Sequence, residues 1–481
     1  MNQEEMIIGA TRRVAKNTGV LLAGNIISKL CILAFFAIAA RYIGPEGFGK
    51  YTFALSFTSM LIILGDLGLN TLAIREVARD RSLASKYLGN IAILKTILSA
   101  IAVGIIFLVI TLLNYPSDTT RIVYILGISV FIGSLSGGLR WCFQAFQKME
   151  YEALMNTAQG IILLGLGLAI LYLGKGLIGL AFAHLLTSII IFCFSFLITL
   201  KKFGKPRFEM KWNFWKFLIR TAIPIGLATV FVTAYYNIDT VMLSLMKGDA
   251  PVGWYNAGYK LVNPITLLLG MFSLALFPVM SDFYKTSIES FKKIYRKSVN
   301  FSLMVGLPIA LGTTILSYKI IPTIFGQEFF QAIPALQILI WAGIFAFISG
   351  IIGTCLIAID KQKINTYICL AGLITNIILN LALIPKFSYI GAAIAILIAQ
   401  FLIISLMLFL TFKTLKMNFF SKPIFKALLA CFLMGLLTWF IKDLNIAVVT
   451  FLSAIFYLTV LWCVKGITRS DLKLIRQMIK I

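Results

Sequence analysis

Residues Ile390 to Phe412 read IGAAIAILIAQFLIISLMLFLTF, 23 positions without one charged side chain. A helix that crosses a bilayer needs about 20 such residues, whereas a strand of a membrane barrel needs about half as many and alternates in polarity. The stretch is therefore a helical span. Working outward from it, the same pattern marks spans at roughly 17–40, 51–74, 87–113, 122–146, 154–173 and 177–200. After a basic break it marks 215–245, 252–280, 299–320, 330–358 and 363–384, then 390–412 itself, 424–441 and 445–464. The chain is 60% hydrophobic and only 13% charged, against about a quarter charged in soluble domains. An all-α integral membrane protein of about 14 transmembrane helices is expected.

Charge supports this map. The formal net charge of +25 belongs to no basic domain that would suit nucleic acid. It recurs in short clusters between spans. With the N-terminus inside, the inner segments hold 30 of the 43 Lys and Arg and the outer loops hold eight: Arg41, Lys50, Arg121, Lys175, Lys247, Lys319, Lys386 and Lys442. Such asymmetry is the positive-inside bias, and it places both termini in the cytoplasm. The first apolar run is too long for a cleaved signal and is expected to remain as the first span.

The chain also repeats. Gly44, Gly49 and Tyr51 recur as Gly248, Gly253 and Tyr255. Cys142, Ala145 and Lys148 recur as Cys355, Ala358 and Lys361, and Ile178-Gly179-x-Ala181-x-Ala183 recurs as Ile390-Gly391-x-Ala393-x-Ala395. Six spans per copy is an even number, so the copies run parallel through the membrane. The expected organisation is a lobe at 1–200, a basic linker at 201–214, a second lobe at 215–413 and a further helix pair with a basic tail at 414–481. Ser281 to Ser298 alternates apolar and basic residues and is expected to lie on the inner leaflet as a short amphipathic helix. The linker aromatics Phe208, Trp212, Phe214 and Trp215 sit among Lys and Arg, which suits headgroup anchoring.

No catalytic constellation is present. There is no Walker loop, no HExxH and no nucleophile elbow, and the seven cysteines form no CxxC pair. No metal or other cofactor is expected. Any energy for transport must come from a proton or sodium gradient, the membrane potential, a partner or the substrate's own gradient. What remains is polarity inside spans. Lys29 lies near the middle of the first helix with Asn25 one turn earlier, Asp66 in the second, Lys95 in the third and Arg140 near the inner end of the fourth. Arg220, Asp239 and Lys260 follow in the seventh and eighth. A Lys, Arg or Asp at a helix centre costs about 2.5–3.5 kcal/mol to insert, so such residues face a bundle interior or a wet path. Arg140 and Arg220 are near enough to the inner ends to snorkel. A salt bridge between Lys29 and Asp66 is the structural alternative to substrate contact. Asn376 and Asn380, one turn apart, and His184 suit hydrogen bonds between helices.

The run Ala40-Arg41-Tyr42-Ile43-Gly44-Pro45-Glu46-Gly47-Phe48-Gly49-Lys50-Tyr51 is familiar. So are Gly65-Asp66-Leu67-Gly68-Leu69 and Arg75-Glu76-Val77-Ala78-Arg79. These stretches resemble the polysaccharide transporters of the multidrug/oligosaccharidyl-lipid/polysaccharide superfamily, in particular the O-antigen-unit (Wzx-type) flippases. Beyond these motifs, length, span count and the two-lobe layout carry the resemblance across the chain. It implies movement of a polyprenyl-diphosphate-linked sugar from the inner to the outer leaflet of the plasma membrane. It also implies a cationic cavity that opens alternately to each side, with glycosyltransferases and a glycan polymerase as pathway partners. Lys29, Lys95, Arg140 and Lys260 are the cations that such a diphosphate would use, and Lys29 and Asp66 are expected to face the cavity. Lipid II flippases of the superfamily carry an Arg-Asp pair in the first helix. Only Lys29 stands there in this chain, which argues against a peptidoglycan precursor. Ion-coupled drug export would favour buried carboxylates, and only Asp66 and Asp239 qualify. A glycan-assembly enzyme would need a long carboxylate-rich outer loop, and none is long enough.

Overall fold

A computed structural model describes residues 3–209, 211–416 and 422–464. The basic tail from Lys465 onward lies outside the described residues, as do the side chains of Arg12, Arg13, Lys16 and Lys422. Among the described residues there is no strand. The helices are α1 (Gln3–Ile62), α2 (Leu69–Arg79), α3 (Ala84–Leu112), α4 (Ser117–Ala145), α5 (Met149–Tyr172), α6 (Gly176–Lys202) and α7 (Trp212–Lys247). They continue as α8 (Asp249–Thr286), α9 (Ile288–Phe325), α10 (Ile333–Ala358), α11 (Gln362–Leu415), α12 (Lys422–Phe440) and α13 (Ile446–Cys463).

Two of these are long enough to cross a membrane twice. At 1.5 Å per residue, a straight α1 would run about 90 Å against a hydrocarbon core of about 30 Å. It is folded at Gly44, whose φ of 67° and ψ of 179° break the helix before Pro45 restarts it. A proline is tolerated there because the first turn of a helix has no partner for its N–H. In α11, Ser388 does the same three residues after Pro385, at φ 53° and ψ −134°. With these two folded in half, and with α2 too short to cross, the thirteen helices supply fourteen membrane-length segments. Eleven of the helices, taken unsplit and among the described residues, meet both the length and the apolarity of a membrane span. The all-α membrane architecture is as expected.

By packing, the chain falls into two units, Met1–Gly253 and Trp254–Ile481. In the first, α1 packs on α5 most extensively, α4 lies between α3 and α6, and α7 packs on α1 and α2. The α1–α5 seam is built from small residues. A Cβ on Gly24 would lie 2.9 Å from the Ala153 carbonyl oxygen, and one on Gly160 would lie 2.8 Å from that of Ser28. Apolar lipid gives helices no hydrophobic reason to associate, so such close approach is what holds them. In the second unit α10 packs on α9 and α11, and α12 and α13 dock on α9. Tyr457 Oη donates to the Met304 carbonyl at 2.7 Å, and Lys319 Nζ donates to that of Leu444 at 2.7 Å, which ties the terminal pair to α9 at both ends.

The junctions at Gly44 and Gly248, which the sequence matches as a repeat, are alike in backbone. Gly44 and Gly248 share one backbone conformation, at φ 67° and 79°. A Cβ on Gly49 would lie 1.8 Å from the Asp249 carbonyl oxygen, and one on Gly253 would lie 2.0 Å from that of Pro45. Each glycine thus meets the residue that begins the other copy's helix. Tyr51 and Tyr255, the third pair, are both buried.

Three local expectations need correction. The second span does not run unbroken through residue 74. It stops in the 3-10 turn Ile63–Gly65, passes Leu67 and Gly68 in left-handed conformation, and restarts as α2. The segment 281–298 is not a separate surface helix. Ser287 ends α8 and caps α9 by accepting from Ser290 N, and Phe291 and Tyr295 are buried within the protein. Among the linker aromatics, Phe208 and Trp212 are exposed, but Trp215 Nε1 donates to Asn90 Oδ1 at 2.8 Å and Lys86 Nζ lies 4.4 Å from the Phe214 ring centre. With Arg207 N bonded to the Ser85 carbonyl at 2.9 Å, the linker is pinned to α3.

Candidate functional site

Among the described residues of the first unit, the span cations Lys95 and Arg140 each hold a carboxylate, and Lys29 does not. The break in the second span exists because Gly65 and Gly68 flank Asp66, and it leaves Asp66 at the end of a 3-10 turn. There the carboxylate receives Lys95 Nζ at 2.7 Å. The Lys95 side chain is 2% exposed and that of Asp66 is 23% exposed. Glycines on α4 make the room: a Cβ on Gly138 would lie 3.0 Å from Lys95 Cδ, and one on Gly137 would lie 3.8 Å from Nζ. The expected alternative, a Lys29–Asp66 bridge, is therefore replaced by Lys95–Asp66. The broken span turns Asp66 toward α3, and no periodicity within one helix could have shown that.

Arg140 is the second centre. Instead of snorkelling, its guanidinium turns into the protein and grips Glu152 with Nη2 to Oε1 at 2.6 Å and Nε to Oε2 at 3.2 Å. Both side chains are largely buried, at 14% and 13% exposure. Such a two-pronged geometry is what the planar fork of arginine is suited to and lysine is not. Arg140 Nη2 also donates to Asn156 Oδ1, and Asn156 Nδ2 donates to Asn25 Oδ1 at 2.9 Å. Glu152 and Asn156 lie one turn apart at the start of α5, so one helix face supplies both acceptors. The sequence pattern passed over them because they fall at the interfacial edge of the fifth span, where polar residues are ordinary. Their four-residue spacing opposite Arg140 was the available signal.

Lys29 stands one turn beyond Asn25 on α1. It is half-buried and, among the described residues, no carboxylate or hydrogen-bond acceptor meets its ammonium. Asn25, Arg140 and Asn156 are thus linked across α1, α4 and α5, with Lys29 one turn along α1 from Asn25; of the two cations, Arg140 carries its own carboxylate and Lys29 does not.

The other expected residues fall elsewhere. Arg220 is exposed on α7. Asp239 is buried in α7, Lys260 lies on α8 in the second unit, and neither is without a partner. Asn376 and Asn380 are buried and hydrogen-bonded to each other along α11. His184 packs edge-on against Phe35, at 5.7 Å between ring centres. Of the motif residues, Gly44, Gly49 and Gly68 shape backbone turns and close contacts, Tyr51 is a core residue, Arg75 pairs with Glu76 at 2.9 Å, and Arg41 is exposed.

Comparison with known proteins identifies the family. The chain is 27% identical over 402 residues to the capsular polysaccharide biosynthesis protein CapF of Staphylococcus aureus, covering 81% of this chain and 96% of that one. It is 22% identical over 394 residues to the probable low-salt glycan biosynthesis flippase Agl15 of Haloferax volcanii, covering 79% and 80%. Among solved structures, the lipid II flippase MurJ in an inward closed conformation superposes with a TM-score of 0.77 at 17% identity, over 92% of this chain and 97% of that one. That likeness is one of fold. A family model described as MatE matches residues 224–382. The model described as polysaccharide biosynthesis protein matches residues 14–284, more than half of the chain, and the chain belongs to that family.

Proposed function

We propose that this protein flips a polyprenyl-diphosphate-linked oligosaccharide from the inner to the outer leaflet by alternating access. It moves its substrate and leaves the covalent structure unchanged. The observation that carries this reading is Lys29: an ammonium near the middle of a span, with no counter-ion among the described residues, on the same face as a hydrogen-bonded polar strip. Placing such a charge in a membrane is unfavourable unless water or an anion compensates it. A diphosphate is that anion. Its oxygens accept several charge-assisted hydrogen bonds, and its sugars need only a wet path. The kinship with a capsular polysaccharide protein and a glycan flippase supports the same substrate class.

On this reading the protein resides in the plasma membrane with both termini inside, and glycosyltransferases build the substrate that a polymerase later consumes. Export of a diphosphate away from an inside-negative compartment gains about 2.3 kcal/mol per charge per 100 mV, so the membrane potential can supply the energy, with a proton or sodium gradient as the alternative source.

The test is transport of lipid-linked oligosaccharide in reconstituted vesicles. Lys29→Arg should retain partial flipping, while Lys29→Ala and Lys29→Glu should insert normally and lose it. Full transport by Lys29→Ala would show that the charge is structural. Transport of amphipathic cations with none of the lipid would instead favour a drug exporter.

A further inference from the structure

Arg140 is tied through Asn156 to Asn25, one turn from Lys29 on α1, yet its charge is already answered. Glu152 occupies the Nε–Nη2 edge of its fork with two hydrogen bonds. Asn156 takes a further proton of Nη2 and links the pair to α1 through Asn25. Only Nη1 has no partner among the described residues. A pair built solely for stability would have little reason to be ionic, since an apolar pair of like volume is often as stable in a buried setting. A pair that must open for an arriving anion does have to be ionic.

We propose that Glu152 is a resident counter-ion that the substrate's diphosphate displaces from Arg140 on its way to Lys29. This inference rests on the flippase reading above and adds a second phosphate-contacting residue and its internal competitor. The incoming phosphate first meets the open Nη1. It then competes for the Nε–Nη2 edge, because the guanidinium fork accepts a phosphate face as it accepts a carboxylate. No covalent bond changes and no proton need move. Arg140 lies near the inner end of α4 and Glu152 in the first turn of α5, whereas Lys29 lies deeper on α1. The guarded cation therefore stands at the entrance and the unguarded one further in. The guard has a use: small anions with one weak charge cannot pull Glu152 away, while a diphosphate with several strong acceptors can. Discrimination of this kind comes from an internal competitor as much as from the attractive contact. Displacement also loosens the Asn156–Asn25 link, because Asn156 is held on its other side by the same guanidinium.

The experiment measures equilibrium binding of farnesyl diphosphate, a soluble polyprenyl diphosphate, to purified full-length protein in detergent, with inorganic phosphate as the competitor. Glu152→Gln keeps a hydrogen-bond acceptor beside Arg140 but removes the competing charge. It should tighten farnesyl diphosphate binding about tenfold and let inorganic phosphate compete where it does not in the wild type. Arg140→Gln should weaken binding about tenfold. The double variant Arg140→Gln/Glu152→Gln has no buried charge to strand, so it provides a folded control. It should bind like Arg140→Gln alone, because the gain from Glu152→Gln exists only through Arg140. Unchanged or weaker binding by Glu152→Gln would overturn the inference, as would a gain that persists in the double variant. Failure of the wild type to bind the diphosphate would sink the flippase reading itself, whereas Lys29-dependent flipping with an indifferent Glu152 would sink only the counter-ion.

Discussion

Removing either member of the Lys95–Asp66 pair should destabilise the protein, but unequally, and the inequality follows from where each side chain sits. Lys95 is 2% exposed and walled by the α4 glycines, with its Cδ at close packing distance from Gly138. In Asp66→Asn the ammonium has no route to water, and stranding one charge of a buried pair costs about 3–5 kcal/mol. The asparagine oxygen still accepts one hydrogen bond, so a value near the bottom of that range, about 3 kcal/mol, is expected. Asp66 is 23% exposed at a helix break, so in Lys95→Met its carboxylate can hydrate. That variant should lose about 1–2 kcal/mol. The double variant removes both charges and keeps the volume, and should lie within about 1 kcal/mol of the wild type. A double-mutant cycle of reversible unfolding in mixed micelles would then give a coupling of about 3–5 kcal/mol, well beyond the usual additivity error of about 0.5 kcal/mol. Additive losses, or a larger loss from Lys95→Met than from Asp66→Asn, would refute the assignment of the two burial environments.

Further outcomes are expected at the junction where Gly49 and Gly253 meet backbone. Gly49→Ala and Gly253→Ala should each cost about 1–3 kcal/mol, because a new Cβ meets a backbone carbonyl that cannot rotate away, and thermal melting should show the two losses to be similar in size; loss from one glycine only would contradict the two-fold relation at this junction. Asp249, at the first residue of α8, has its carboxyl held above the usual range by burial, opposed by the nearby Lys50 ammonium. A raised carboxyl contributes stability below its ordinary value and loses it as pH rises through the raised one, so Asp249→Asn should stabilise the protein at neutral pH and flatten the gain seen on acidification. Unchanged melting across that window would show that the carboxylate is hydrated after all. For topology, cysteines placed at Lys175 and Lys386 should react with an impermeant thiol reagent in intact cells and one at Lys202 should not; the reverse pattern would invert the map.

The span map was legible because it depends on one quantity, the length of apolar sequence, which the bilayer imposes on every segment alike. The junction at Gly44 and Gly248 was legible for a different reason. Gly44, Gly49 and Tyr51 recur at one offset; Gly44 and Gly248 both take a positive φ, and Gly49 and Gly253 both sit where backbone meets backbone. Partnerships were not legible. Asp66 and Lys29 lie mid-span on neighbouring helices and looked like a pair, but the Gly65–Gly68 break points Asp66 to α3. The two flanking glycines announced that break, and the apolar residues around them hid it. Glu152 and Asn156 escaped notice because a polar residue at the edge of a span is usually solvated, and only the tertiary approach of Arg140 makes them buried acceptors.

What holds α1 in place also bears on what Lys29 can do. Its contacts with α5 are steric: Gly24 against Ala153, Ser28 against Gly160, and Phe35 against Gly167. Packing of this kind fixes the distance between two helices, and none of these contacts involves Lys29. Two polar ties lie on the same stretch, the Asn25–Asn156 bond and Thr157 Oγ1 donating to the Gly24 carbonyl at 3.3 Å. Hydrogen bonds between membrane helices average about 0.6 kcal/mol, so losing the first of these to a rearranged Asn156 leaves the helix seam intact. The charge of Lys29 is thus carried on a firmly seated helix, while the groups beside it are held by one weak bond and one exchangeable ion pair. On the proposed reading, an anion that arrives there can reorganise its own surroundings at small cost without unpacking the bundle, whereas the same anion at Lys95 would have to break a pair whose ammonium is buried against α4. On that reading the three cations differ in role: Lys95 secures the broken span, Arg140 is available only to a ligand that outcompetes Glu152, and Lys29 is available outright.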